Sequence, residues 1–192
     1  MSVATRRGIL GLSLLLTMAI TLAALISGLP GSNAGGPFTL ADGQGQVVRD
    51  SDFRGRFMVV FFGYTYCPDV CPSALGKLAS VLDRLSRSEL DRLAVIFISV
   101  DPARDQGTRL TDYGQSFHPH ILGLTGTPEQ IAAVTKAYGA KFRIVGDTQS
   151  GDYAIDHTAF IYLMGPDGRL ITTFANDSSA ITIEQRLKRE LQ

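Results

Sequence analysis

The chain has 192 residues, 45 % hydrophobic and 19 % charged, with 18 basic and 18 acidic side chains and a formal net charge of zero. That is enough apolar material for one cored domain plus extras, and it sets aside a globally disordered chain. The neutral balance, with no basic block and no basic patch interleaved with aromatics, argues against a nucleic-acid surface, and no repeat at a solenoid period occurs.

Residues 9–29, ILGLSLLLTMAITLAALISGL, carry no charge. As a helix they would span roughly 30 Å, about the thickness of a bilayer core. Arg6 and Arg7 precede them and nothing basic follows closely, so the positive-inside rule places residues 1–8 in the cytoplasm and exports the remainder. The competing reading is a cleaved signal peptide, for which SNA at 32–34 offers small residues. The apolar run exceeds the roughly 7–15 residues of a signal h-region, which favours an uncleaved anchor. With no long Arg- and Ser-rich presequence, the expectation is a bacterial inner-membrane protein with a single pass and a periplasmic domain. Residues 30–37, PGSNAGGP, read as a linker, and the folded domain as residues 38–192. An oxidising periplasm permits a disulfide without requiring one.

Within the domain, PFTLAD and GQVVRD read as short strands joined at Asp42-Gly43. RFMVVFF, 56–62, is a continuous apolar run that suits a strand buried on both faces. PSALGKLASVLDRLSR follows as a helix with Leu75, Leu78, Leu82 and Leu85 on one face and Arg84 and Arg87 in its last turn. LAVIFISV, 93–100, is a second buried strand; TRLTDYGQSF is helical in spacing; ILGLT is a short strand. TPEQIAAVTKAYG carries a Thr127–Gln130 capping box, Pro128 at the first helical position and a terminating Gly139. AKFRIV reads as an inserted strand, TAFIYLM (158–164) as a strand paired through GPDG with RLITTFA, and TIEQRLKRELQ as a final helix capped by Thr182 and Gln185. The order is α/β, and with a cysteine pair after the first core strand it becomes a thioredoxin-like fold with an extra N-terminal hairpin, preceded by one transmembrane helix.

The two cysteines, Cys67 and Cys71, are the only ones in the chain and have three residues between them in YCPDVC. With a helix starting near Val70, Cys71 falls in its first turn, where the helix N-terminus is expected to favour thiolates. A purely structural disulfide over so short a loop adds little. A thioredoxin-type redox motif has two intervening residues, not three, and the tryptophan that precedes such pairs is absent. A peroxiredoxin would place its threonine differently from Thr65. Two thiolates that bind metal want a third donor. His157, entering a late core strand, lies opposite the cysteine loop in a thioredoxin-like fold. His118 and His120 sit in SFHPHIL at a helix-to-strand connection, where a local packing or solvated role is favoured. Asp69 and Asp156 neighbour the candidate ligands and are candidates to orient them. Two soft thiolates and one imidazole suit copper, as Cu(I) or Cu(II); structural zinc normally takes four protein ligands and iron–sulfur clusters four cysteines.

GYTYCPDVCPSAL, ISVDPARDQGTRLTDYGQSFHP and DHTAFIYLMGPDGRL together resemble three blocks of the SCO/SenC copper chaperones. The resemblance covers the whole exported domain and includes the anchor and its orientation. It implies copper ligands at Cys67, Cys71 and His157, delivery of copper to the CuA domain of cytochrome c oxidase subunit II during assembly, and exchange with other periplasmic copper carriers or thiol reductants. It equally implies an alternative in which Cys67 and Cys71 form the catalytic dithiol of a thiol–disulfide reductase that keeps the CuA cysteines reduced. The matched Asp101-Pro102 block has Ala103 where the family tends to have an acidic residue; no copper role falls on Asp101, which is read as a residue that shapes the loop beside the site.

Overall fold

The computed structural model describes residues 34–149 and 151–192. The apolar segment 9–29 and the first part of the linker lie outside the described residues. Among the described residues, no helix is long and apolar enough to cross a membrane.

The domain opens on an antiparallel hairpin, β1 (Thr39–Asp42) and β2 (Val47–Arg49). Asp42 makes the turn: its Oδ1 accepts the backbone N–H groups of Gln44 and Gln46, both at 2.9 Å, the local bonding that makes aspartate a turn residue. A 3-10 turn at Asp50–Phe53 leads to β3 (Phe57–Gly63), then α1 (Val70–Leu82), a short α2 (Arg87–Asp91) and β4 (Leu93–Ser99). The remaining elements are α3 (Thr108–Phe117), β5 (Ile121–Thr125), α4 (Pro128–Tyr138), β6 (Phe142–Gly146), β7 (Tyr153–His157), β8 (Ile161–Met164), β9 (Leu170–Phe174) and α5 (Ala180–Glu190).

Seven strands form one sheet in the order β2-β1-β5-β4-β3-β8-β9, with β3, β4 and β5 parallel and the flanking pairs antiparallel. Every residue of β3 and β4 is buried, as their unbroken apolar runs require of strands covered on both faces. Phe61 and Phe97 lie side by side on one face, where Phe97 meets Tyr113 of α3. Phe62 faces the other way, into an edge-to-face cluster with Tyr138 of α4 and Tyr162 of β8, ring centroids 5.4–5.8 Å apart. Such ring pairs add about 0.5–1.5 kcal/mol each beyond their buried area. This is the expected thioredoxin-like α/β arrangement, with the N-terminal hairpin extending the sheet beyond β5.

Three local expectations are corrected. The helix read through 72–87 stops at Leu82, because Ser86 begins a new helix: its Oγ accepts Glu89 N–H, and the Glu89 carboxylate accepts Ser86 N–H at 2.7 Å. Arg84 therefore lies beyond the last turn of α1 and instead bonds Glu184 of α5 at 2.6 Å. The last helix is capped by Ser179, whose Oγ accepts Thr182 N–H at 3.1 Å, so Thr182 lies inside the helix. The strand read as 158–164 begins only at Ile161; Thr158–Phe160 form an irregular link from β7, which ends at His157 and pairs with β6 in a separate two-stranded ribbon.

Candidate metal centre

β3 ends at Gly63, and the chain turns through Tyr64–Cys67, with Cys67 N–H bonded to the Tyr64 carbonyl at 3.2 Å. α1 then begins, and Cys71 is its second residue. Pro72 breaks nothing there, since first-turn amides have no helical acceptor. Asp69 occupies the cap position, yet its side chain caps nothing; only its carbonyl takes part, accepting Ser73 N–H. Cys71 is fully buried and Cys67 is 9 % exposed. Gly63 makes room for the inner sulfur: a Cβ at that position would stand 2.5 Å from Cys71 Sγ and 3.0 Å from the Phe97 ring.

His157 is the last residue of β7, opposite Phe142 in the ribbon. Tyr153, Ile155 and His157 share the inward face of β7, as the period of two dictates. The imidazole stands edge-on to Phe61 and Tyr64, centroids 6.1 and 5.9 Å away. Nδ1 donates to the Thr158 carbonyl at 3.2 Å, which leaves Nε2 as the free donor atom, 3.4 Å from Cys71 Sγ. Both cysteines are unbonded thiols. The ligating atoms of Cys67, Cys71 and His157 all lie within 4.8 Å of one another, the one such grouping among the described residues. A cavity of about 340 Å³ opens beside Cys67 and His157, lined also by Tyr64, Pro68, Val70, Ala154 and Ala159 among others, while Cys71 lies behind it.

Burial sets the electrostatics. It pushes the Cys71 thiol far above the ordinary cysteine range, with the neighbouring Cys67 adding to the rise. The thiolate expected of a first-turn cysteine is therefore not favoured in the metal-free protein, because loss of solvent outweighs the helix N-terminus. Burial also holds His157 below the usual histidine value, so the imidazole is neutral and ready to donate a lone pair.

The other candidates are elsewhere or do other work. Asp156 points out of the ribbon, 65 % exposed, and pairs with Arg143 at 2.7 Å; the Thr158 carbonyl orients His157 in its place. His118 and His120 lie against each other, His118 Nδ1 accepting His120 N–H and His118 Nε2 standing 3.6 Å from Asp83, apart from the cysteines.

Sequence reasoning marked Asp101 as a residue that shapes the loop beside the site, but missed Asp105 and the buried polar bonds behind the cysteine loop. Asp105, fully buried, accepts Thr65 N–H at 2.8 Å, Thr65 Oγ1–H at 2.6 Å and Ser99 Oγ–H at 2.6 Å. Asp101, 3 % exposed, accepts Tyr153 O–H at 2.7 Å and Arg104 Nε–H at 2.5 Å. The two acids of DPARD were visible as a motif, but the partners of Asp105 and Tyr153 lie across the fold. The donor set as assembled fits a soft metal ion, and its paired thiols also fit disulfide exchange.

A family model described as SCO1/SenC matches residues 27–192. Protein sco1 of Schizosaccharomyces pombe is 39 % identical over 148 residues, covering 76 % of this chain and 56 % of that one; the chain thus spans little more than half the length of this curated relative. Among solved structures, Bradyrhizobium japonicum ScoI with copper bound is 41 % identical with a TM-score of 0.72, covering 82 % of this chain and 99 % of that one. Yeast Sco1 with copper bound is 36 % identical with a TM-score of 0.76, covering 83 % and 88 %.

Proposed function

The chain belongs to the SCO1/SenC family, and on that premise we propose that it binds one copper ion as cargo at Cys67, Cys71 and His157 and delivers it to the CuA domain of cytochrome c oxidase subunit II during assembly. The observation that carries this reading is the convergence of two sulfurs and one imidazole nitrogen within 4.8 Å. Thiolates select Cu(I), and an imidazole lets the same site hold Cu(II). Copper displaces the thiol protons on binding. With three protein ligands and a cavity open beside Cys67 and His157, an incoming thiolate from the acceptor can join the ion before the donor's sulfurs leave. Residues 9–29 serve as the anchor that holds the domain at the outer face of the bacterial inner membrane, so that the copper stays beside the membrane-bound oxidase.

A Cu(I) titration of the reduced full-length chain against a chromogenic Cu(I) chelator tests the reading. One equivalent should bind tightly, and His157→Ala should weaken binding by at least about tenfold, since it removes one ligand of three. Binding indifferent to His157 would sink the three-ligand site.

A second reading is favoured by the two unbonded thiols lying side by side, the outer one reachable from solvent. As a reductase, the Cys67 thiolate would attack a partner disulfide and release one partner thiolate. Cys71 would then displace the second, leaving a Cys67–Cys71 disulfide for an external dithiol to reduce. That chemistry needs no histidine ligand, so His157→Ala would leave it largely intact.

A further inference from the structure

Among the described residues the ribbon that carries His157 pairs only with itself: β6 and β7 form their own two-stranded sheet, with no backbone ladder to the seven-stranded one. Something else must hold it against the cysteine loop. Arg104, on the connection between β4 and α3, is placed to do so. Its Nε donates to Asp101 Oδ2 at 2.5 Å, and its Nη1 donates to the Tyr153 and Gly151 carbonyls at 2.9 and 3.3 Å. Its guanidinium carbon stands over the Tyr153 ring, 3.5 Å from the centroid, and 4.7 and 5.7 Å from the Tyr66 and Tyr64 ring centroids. Tyr153 completes the knot by donating to the other Asp101 oxygen at 2.7 Å. The remaining nitrogen, Nη2, is buried without an oxygen partner among the described residues, which fits a group enclosed by aromatic faces.

These contacts join three segments: the cysteine loop through Tyr64 and Tyr66, the β4–α3 connection through Asp101, and the start of β7 through Tyr153. The side chain is 14 % exposed and that of its partner Asp101 2 %, so the pair is held out of water and truncating either partner is expensive. Only a planar fork can bond a carboxylate and two carbonyls while stacking on a ring; a lysine cannot. Tyr153 and His157 stand on the same face of β7, so fixing one end of this short strand fixes the other.

We infer that Arg104 is a positioning residue for the metal centre: it clasps the start of β7 to the cysteine loop and so presents His157 as the third ligand. The consequence for copper rests on the function proposed above; the clasp itself does not. The test uses the full-length chain and Arg104→Lys, which keeps the charge beside Asp101 and so avoids stranding a buried carboxylate; Tyr153→Phe, which deletes one hydrogen bond, is the milder companion. Hydrogen exchange of the metal-free protein should show faster exchange at the amides of β7 in both variants, with the β3 and β4 amides unchanged. Competition titration with Cu(I) should show Arg104→Lys weakening affinity about tenfold, as loss of a residue that orients a ligand does, and adding nothing in a His157→Ala background. Unaltered β7 exchange, or a loss of affinity that adds in full to that of His157→Ala, would overturn the inference. If the wild-type chain binds no Cu(I), the copper reading fails, and the exchange comparison alone decides the clasp.

Discussion

Cys71 meets Gly63 at a distance that leaves no room for a methyl group: an alanine Cβ there would lie 2.5 Å from the sulfur. Because Cys71 is fully buried, its side chain has nowhere to retreat. Gly63→Ala should cost about 1–3 kcal/mol, the usual penalty of overpacking, seen as a lower urea midpoint, and should weaken metal binding as the sulfur is displaced. Unchanged stability together with unchanged affinity would show that the contact is slack. The pH dependence belongs to the same residues. Since burial raises the Cys71 thiol, the metal must displace its proton throughout the neutral range, and copper affinity should climb with pH by about tenfold per unit for each proton displaced. Since burial lowers His157, its proton begins to compete only below the ordinary histidine range, where the dependence steepens. Affinities measured from about pH 5 to about pH 8 check both signs; a flat profile would contradict them.

Among the elements, α4 and the ribbon do separate jobs. α4 packs Tyr138 against Phe62 and Tyr162 on the face away from Phe61 and His157. Its start is secured by Thr127 Oγ1, which accepts Gln130 N–H, and by Gln130 Oε1, which accepts Thr127 N–H at 2.8 Å. Thr127→Ala should therefore cost about 1 kcal/mol of stability, a typical cap loss, and leave copper affinity at the wild-type value. Denaturation and titration of the same sample test both halves, and a change in affinity would mean that the two faces of the sheet are coupled. The ribbon instead carries His157, the proposed third ligand, on a strand outside the main sheet.

For the molecule as a whole, the ion would link segments distant in the chain: Cys71 and His157 are 86 residues apart. The site as described cannot exist in the unfolded chain, so binding free energy becomes folding free energy. At copper concentrations about a hundredfold above Kd the gain is about 2.7 kcal/mol, roughly a 5–10 °C rise in Tm for a domain of this size. Calorimetry of the reduced chain with and without Cu(I) should show that rise, and His157→Ala should lose most of it. A Tm indifferent to copper would place the ion somewhere other than between the loop and the ribbon.

What was legible in the sequence was local. The unbroken apolar runs of β3 and β4 announced strands covered on both faces, α3 and β5 kept the bounds their spacing indicated, and the Thr127–Gln130 box formed as read. Cys67 and Cys71 at the end of β3 marked the site, and His157 was reached through the fold position and the three-block resemblance together. Where several residues compete for one local role, local pattern failed: Ser86 and Ser179 took helix starts from a continuing apolar face and from Thr182. Where partners are far apart, it was silent. Thr65 and Asp105 are 40 residues apart, Asp101 and Tyr153 52, and Tyr64 and Ile155 91. Only the tertiary structure brings them together, because nothing in a short window encodes which distant groups will share a buried site. The same reason explains the reversed chemistry of Cys71: its place in the first helical turn could be read from the chain, but the burial that holds its proton comes from packing against Gly63 and His157.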